Sequence, residues 1–170
     1  MKTLESDMGM DFRQARWLVE ELLGAYADCI DNDRLEEWPD FFTESCVYKI
    51  IPWENVSRNL GVAWILCDTR GMLQDRVIAH RTANLYAPHR YRHLVGAVRI
   101  VSCADQVIEA RTNYLIVRTA LDTVRYGTSE IYSTGEYQDR VVVENGTAKF
   151  AEKIVVADTA RVDTLLVTPI

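Results

Sequence analysis

With 25 acidic and 19 basic residues among 170, a net charge of −6 and 48% hydrophobic residues, the chain has the composition of a globular domain, long enough to bury about 70% of its unfolded surface. The basic residues never form a run, which argues against nucleic acid or an anionic membrane as partner. The 4 cysteines lie far apart without CxxC or CxH spacing; no secretory leader opens the chain and no apolar run approaches a membrane span, so the expectation is one cytoplasmic domain over residues 1–170 with free, buried thiols.

From Asp11 the apolar residues Phe12, Ala15, Leu18, Val19, Leu22, Leu23, Tyr26, Ala27 and Ile30 recur at the spacing of one helix face. Asp11 suits the N-cap, and Asp31-Asn32-Asp33 ends the helix. Leu35, Trp38, Phe41 and Phe42 then fall at helical spacing in a segment that Pro39 restricts to a short, broken helix. Trp38, Phe41 and Phe42 are therefore core anchors, and residues 11–42 form a helical amino-terminal part. A strand over Cys46 to Ile51 stops at Pro52. Residues 53–61 read as loop, Val62 to Cys67 as a short buried strand, and Asp68 to Thr82 as a second helix capped by Asp68, with Leu73, Arg76, Val77 and His80 on one side.

Residues 92–157 read as four consecutive antiparallel strands. Asn145-Gly146 between alternating runs is a strong hairpin signal. Val107 to Thr119 and Tyr126 to Val143 are rich in β-branched and aromatic residues, with a turn at Leu121-Asp122-Thr123. At roughly 3.3 Å per residue the second run would span about 60 Å if straight, so Gly127 and Ser133-Thr134-Gly135 mark bends or bulges. Helices followed by a large antiparallel meander make an α+β pattern, in which the sheet curls around the first helix.

Several segments together carry a family resemblance: Trp38-Pro39-Asp40-Phe41-Phe42, Tyr48 with Glu54-Asn55, residues 72–77 (MLQDRV), residues 92–96 (RHLVG) and residues 135–140 (GEYQDR). In order and spacing the chain resembles the small (β) subunit of aromatic-ring-hydroxylating oxygenases. The resemblance implies a cone-shaped fold like nuclear transport factor 2, a curved and mainly antiparallel sheet with helices packed in its concave face. It implies a hexamer of three large and three small subunits, self-association of the small ones as a trimer, and a mainly architectural role. The Rieske iron-sulfur cluster, the mononuclear iron and the substrate pocket would belong to the large subunit, with none bound by this chain. Trp53-Glu54-Asn55, Leu60-Gly61 and Cys67-Asp68 are most similar to small subunits that act with salicylate- or benzoate-type hydroxylases, implying an aromatic acid substrate; Trp53 departs from the basic or polar residue expected there.

The residues themselves agree with a chain that has no catalytic or metal site of its own. A Rieske centre needs two cysteines and two histidines in short paired spacings, and no cysteine here has a histidine nearby. His89 and His93 stand four apart, which brings ligands together on a helix but not on the strand this stretch enters after Pro88. His93 and His80 are expected to be enclosed and hydrogen-bonded. Two adjacent charge pairs, Asp75-Arg76 and Asp139-Arg140, are structural or interfacial candidates. Neighbouring strand residues face opposite sides, so only one of Asp139 and Arg140 points inward. Tyr137 and Asp139 would share the inner face with Ile131 and Val141, and Arg76 from the facing helix is the expected partner of a buried Asp139. The competing hypothesis is a stand-alone lyase or isomerase with a His-Asp pair in the cone, drawing on His80, His89 or His93. A crowd of Trp38, Phe41, Phe42 and Tyr137 on the inner face speaks against an open cavity there.

Overall fold

The computed structural model describes residues 10–162 and 166–170. Helix α1 (Phe12–Asp31) opens it, with the Asp11 carboxylate accepting from the main-chain N–H groups of Arg13 and Gln14. A 3-10 turn (Trp38–Phe41) leads into strand β1 (Phe42–Pro52), the short helix α2 (Trp53–Ser57), strand β2 (Ile65–Cys67) and helix α3 (Arg70–Thr82). Then follow β3 (His89–Val95), β4 (Arg99–Ala104), β5 (Val107–Ala120), β6 (Ser129–Glu144) and β7 (Thr147–Ala157).

Four expectations shift. Residues 53–61 contain the helical turn α2, and the strand expected at 62–67 forms only over Ile65–Cys67. Thr69, not Asp68, caps α3, because its hydroxyl accepts from the Met72 N–H. The stretch expected to be the first strand of a four-stranded meander is two strands, β3 and β4, and both pair with β5. Gly96 sits at the break, where its N–H donates to Asn113 O at 2.8 Å and a Cβ would stand 3.1 Å from that oxygen.

The sheet runs β2-β1-β7-β6-β5-β3, with β4 beside β5, and is antiparallel except where β1 lies parallel to β7. Asn145 (φ 53°) and Gly146 (φ 78°) make the hairpin between β6 and β7, as two positive φ values require. Two of the sheet's four register shifts fall on the pairings of β6 with its neighbours. One extra residue, Tyr132, is inserted in β6 between the pairs Ile116↔Ser133 and Val117↔Ile131, and Ala151 is extra in β7. Such bulges bend and twist a sheet. The first also reverses the alternation: Ile131, expected on the inner face with Tyr137, is 67% exposed. At Gly135, next to these bends, β6 comes so close to β7 that a Cβ would meet Val156 O at 2.0 Å.

The concave face of the curled sheet holds α1, which buries Ala15, Val19, Leu22, Leu23, Tyr26 and Ile30. Each such large apolar side chain contributes about 1.5–3 kcal/mol through burial. Trp38 and Phe42 are wholly buried and Tyr48 joins them through edge-to-face ring contacts, with centroids 5.6 Å (Trp38–Phe42) and 5.1 Å (Trp38–Tyr48) apart. Tyr137 is wholly buried and stacks on Tyr114 at 4.4 Å. Phe41 is half-buried and packs against this core from its edge. Residues 166–170 return to the interior, with Val167, Thr168 and Ile170 buried.

Candidate functional site

Interior polar groups of α1, α3, β3, β6 and β7 are turned inward by strand alternation or helical phase. On β3 the residues His89, Tyr91 and His93 share the inner face. The last residue of α1 meets them there. Asp31 accepts from the His93 main-chain N–H at 2.9 Å and from His93 Nδ1 at 2.6 Å, so one carboxylate fixes both the strand and the ring. A His-Asp pair is thus present, in the arrangement that orients an imidazole as a general base. The working nitrogen of such a base, His93 Nε2, is enclosed and without a partner. Sequence reasoning placed His93 inside but missed Asp31, which looked like part of a helix stop; only the pairing of β3 with the end of α1 reveals it.

Asp139 is buried, and its partner is Lys153, not Arg76. Residues 139 and 153 sit opposite one another in the β6–β7 register. Lys153 Nζ lies 3.2 and 3.4 Å from the two carboxylate oxygens, with both side chains fully enclosed. The ammonium also sits over the ring of Tyr137 at 3.6 Å, and Phe150 and Tyr26 close the cage at 4.6 and 4.7 Å. Burial pushes the Asp139 carboxyl up and the Lys153 ammonium down, and their mutual attraction opposes both shifts. A cross-strand partner outcompetes a helix-borne one here because the pair needs only the sheet register, whereas Arg76 is engaged elsewhere: its Nη2 donates to Leu166 O and Val167 O at 3.2 and 3.4 Å. Arg140 points outward towards Glu152, and Asp75 is exposed on α3.

His80 is buried on α3, with Nε2 3.0 Å from Thr168 Oγ1 and Nδ1 3.4 Å from the Tyr86 hydroxyl. His89 Nδ1 donates to Ala87 O at 2.8 Å. Burial lowers the pKa of both rings. They line an open cavity of about 550 Å³ at one end of the cone, with Asp31, Asp33, Tyr86 and Tyr91 among its walls. His93 does not reach it. The cavity and the His-Asp pair therefore share the Asp31 wall but not the His93 imidazole, and the imidazoles in the cavity wall are those of His80 and His89.

The model of the family described as "Ring hydroxylating beta subunit" matches residues 25–164. The chain belongs to this family. Across its whole length the beta subunit is 40% identical to the small subunit of anthranilate 1,2-dioxygenase from Burkholderia cepacia, over 170 residues and 100% of both chains. It is 35% identical over 146 residues to a terephthalate 1,2-dioxygenase terminal oxygenase beta subunit from Comamonas sp, covering 86% of this chain and 92% of that one. A solved structure from Novosphingobium aromaticivorans, assigned as the beta subunit of an aromatic-ring-hydroxylating dioxygenase, superposes with a TM-score of 0.84 at 38% identity, covering 93% of this chain and 98% of that chain. The fold is accordingly the curved-sheet cone of nuclear transport factor 2-like proteins.

The oxygenases of this family imply iron, and the donor set among the described residues does not fit it. Cys29, Cys46 and Cys67 are buried and Cys103 is partly so. Burial raises all four thiols, Cys29 and Cys46 to about 11, which disfavours the thiolate an iron-sulfur cluster needs. Cys29 donates its proton to Arg34 O at 2.9 Å. Among the described residues no group of three or more His, Cys, Asp or Glu side chains is placed to hold a metal ion, and no helix there is long and apolar enough to cross a membrane.

Proposed function

We propose that this beta subunit is an architectural component of an aromatic-ring-hydroxylating oxygenase with no catalytic centre of its own. It holds three large subunits together with two further copies of itself in a hexamer, and the large subunits carry the Rieske cluster, the mononuclear iron and the substrate pocket. The observation that carries this reading is the enclosed His-Asp pair: among the described residues, His93 is held by Asp31, its Nε2 is buried without a partner, and His93 is not among the residues that line the open cavity at the end of the cone. The anthranilate and terephthalate named for its relatives support an aromatic acid as the substrate of the complex.

Co-expression with a large subunit tests the proposal. The expected product is a stable hetero-oligomer of mass equal to three copies of each chain, with interfaces above about 1,000 Å² each, and with all iron accounted for by the large chains. A beta subunit that stays monomeric beside its large subunit, or that retains stoichiometric iron when purified alone, refutes it.

A further inference from the structure

The open cavity at the end of the cone has ring-lined walls. His80 on α3, Tyr86 in the segment that follows it, and His89 and Tyr91 on β3 form a chain of ring contacts there, with centroids 4.7 Å (His80–Tyr86), 5.6 Å (Tyr86–His89) and 4.7 Å (His89–Tyr91) apart. Pro88 and Leu121 add apolar surface. A volume of about 550 Å³ lies in the range of small-molecule sites, which combine such walls with a few placed polar groups. Ring-lined walls suit an aromatic ligand, which gains from offset-stacked and edge-to-face contacts beyond the burial of its area.

The polar groups narrow the class further. A main-chain carbonyl only accepts, so the 2.8 Å contact of His89 Nδ1 with Ala87 O puts the ring proton on Nδ1. Burial lowers the pKa of His89 from its usual 6.5, so at neutral pH the ring is uncharged and Nε2 carries a bare lone pair. Among the described residues this nitrogen has no partner, and unlike His93 Nε2 it is not enclosed. It therefore calls for a donor from the cavity. His80 is engaged at both nitrogens, by Thr168 and Tyr86. The two wall carboxylates are already held, Asp31 by His93 and Asp33 by Arg81. They repel an anion, and Arg90 in the same wall repels a cation.

We propose that this cavity binds a small, neutral aromatic molecule that carries a hydrogen-bond donor, of which phenol is the simplest example. The ring of the ligand packs against the aromatic wall, and its O–H donates to His89 Nε2. The site binds and does no chemistry, so it goes beyond the architectural role above, and either can fail without the other.

Calorimetric titration of the full chain at neutral pH with three probes tests it: phenol, fluorobenzene, which has nearly the same shape but no donor, and benzoate, which is an anion. Phenol is expected to bind saturably with a Kd of roughly 1 mM. Fluorobenzene should bind about fivefold more weakly, a difference of about 1 kcal/mol that matches one net hydrogen bond, and benzoate should bind more weakly than phenol. His89→Phe keeps a ring between Tyr86 and Tyr91 but offers no acceptor, so it should bring phenol down to the level of fluorobenzene. A second measurement needs no variant: the nitrogen resonance of His89 Nε2 in the unaltered chain should shift on adding phenol and stay in place on adding fluorobenzene. The proposal is overturned if phenol does not bind, if fluorobenzene or benzoate binds as tightly, if a folded His89→Phe chain binds phenol unchanged, or if bound phenol leaves the His89 Nε2 resonance unmoved.

Discussion

Replacing Lys153 with methionine should be among the most damaging single changes in the sheet. The ammonium lies 3.2 Å from Asp139 Oδ1 with both side chains fully enclosed. At an effective dielectric constant of about 20, a unit-charge pair at that separation attracts by about 5 kcal/mol. Face-on contacts with aromatic rings such as those of Tyr137, Phe150 and Tyr26 add roughly 0.5–2 kcal/mol each. Against this stands the cost of taking two ions out of water, several kcal/mol per ion, so the intact pair contributes little net stability while its disruption is expensive. Lys153→Met leaves the carboxylate buried and alone, and the expected loss is about 3–5 kcal/mol, a large share of the roughly 5–15 kcal/mol that holds a domain folded.

Urea unfolding of the variants reads this directly. The double variant Lys153→Met with Asp139→Leu removes both charges and should recover most of the loss. The pH dependence has a definite sign. A carboxyl whose folded pKa is raised above the unfolded 3.8 stabilises the fold below 3.8, and that stability is lost as pH rises through the folded value. With Lys153 gone the rise is larger, so the deficit of the single variant should shrink on acidification from pH 8 towards pH 5. A double variant no more stable than the single one, or a deficit that grows as pH falls, would refute the reasoning.

Trp38→Ala empties a wholly buried site between Phe42 and Tyr48, and should cost about 3–5 kcal/mol in chemical denaturation; an unmoved midpoint would show that the site collapses freely. His80 and His89 have pKa values lowered from 6.5 by burial, so the unfolded chain binds protons that the folded chain refuses. Stability should therefore be full above pH 6.5 and decline as pH falls through the folded values, a slope that His80→Asn combined with His89→Gln should flatten. His93→Gln, counted as turnover per iron in the assembled oxygenase, should change the rate by less than about tenfold, since loss of a general base costs about 100- to 10,000-fold.

Local signals in the sequence reached the elements and stopped short of their partners. The Asp11 cap, the apolar stripe of α1 and the Asn145-Gly146 turn each depend on residues within a few positions of one another, and the structure places them as the sequence implies except that Phe12, at the start of the stripe, is exposed and Leu18 is only partly buried. The bend expected near residues 133–135 is one position away from the bulge at Tyr132. That single residue decided more than its size suggests, because a period of two carries any insertion forward: Ile131 faces outward although it lies an even number of positions from Tyr137. Alternation alone cannot locate an insertion inside a run of uniformly β-forming residues.

The polar interior was legible residue by residue but not pair by pair, and the reason lies in sequence separation. Asp139 was placed inside by alternation, yet its partner is set by the β6–β7 register across the hairpin, which the bulge at Ala151 shifts by one residue. Counting outward from the Asn145-Gly146 turn without that bulge would place residue 152 opposite residue 139, and Glu152 faces outward beside Arg140 instead. With it, Lys153 meets Asp139. Asp31 and His93 are joined only when the end of α1 docks against β3, and Arg76 is drawn away from the sheet by residues 166–170, a contact spanning some 90 positions. The same long-range contacts fix the polar groups of this interior: the His93 imidazole is held by Asp31 and the Lys153 ammonium by Asp139.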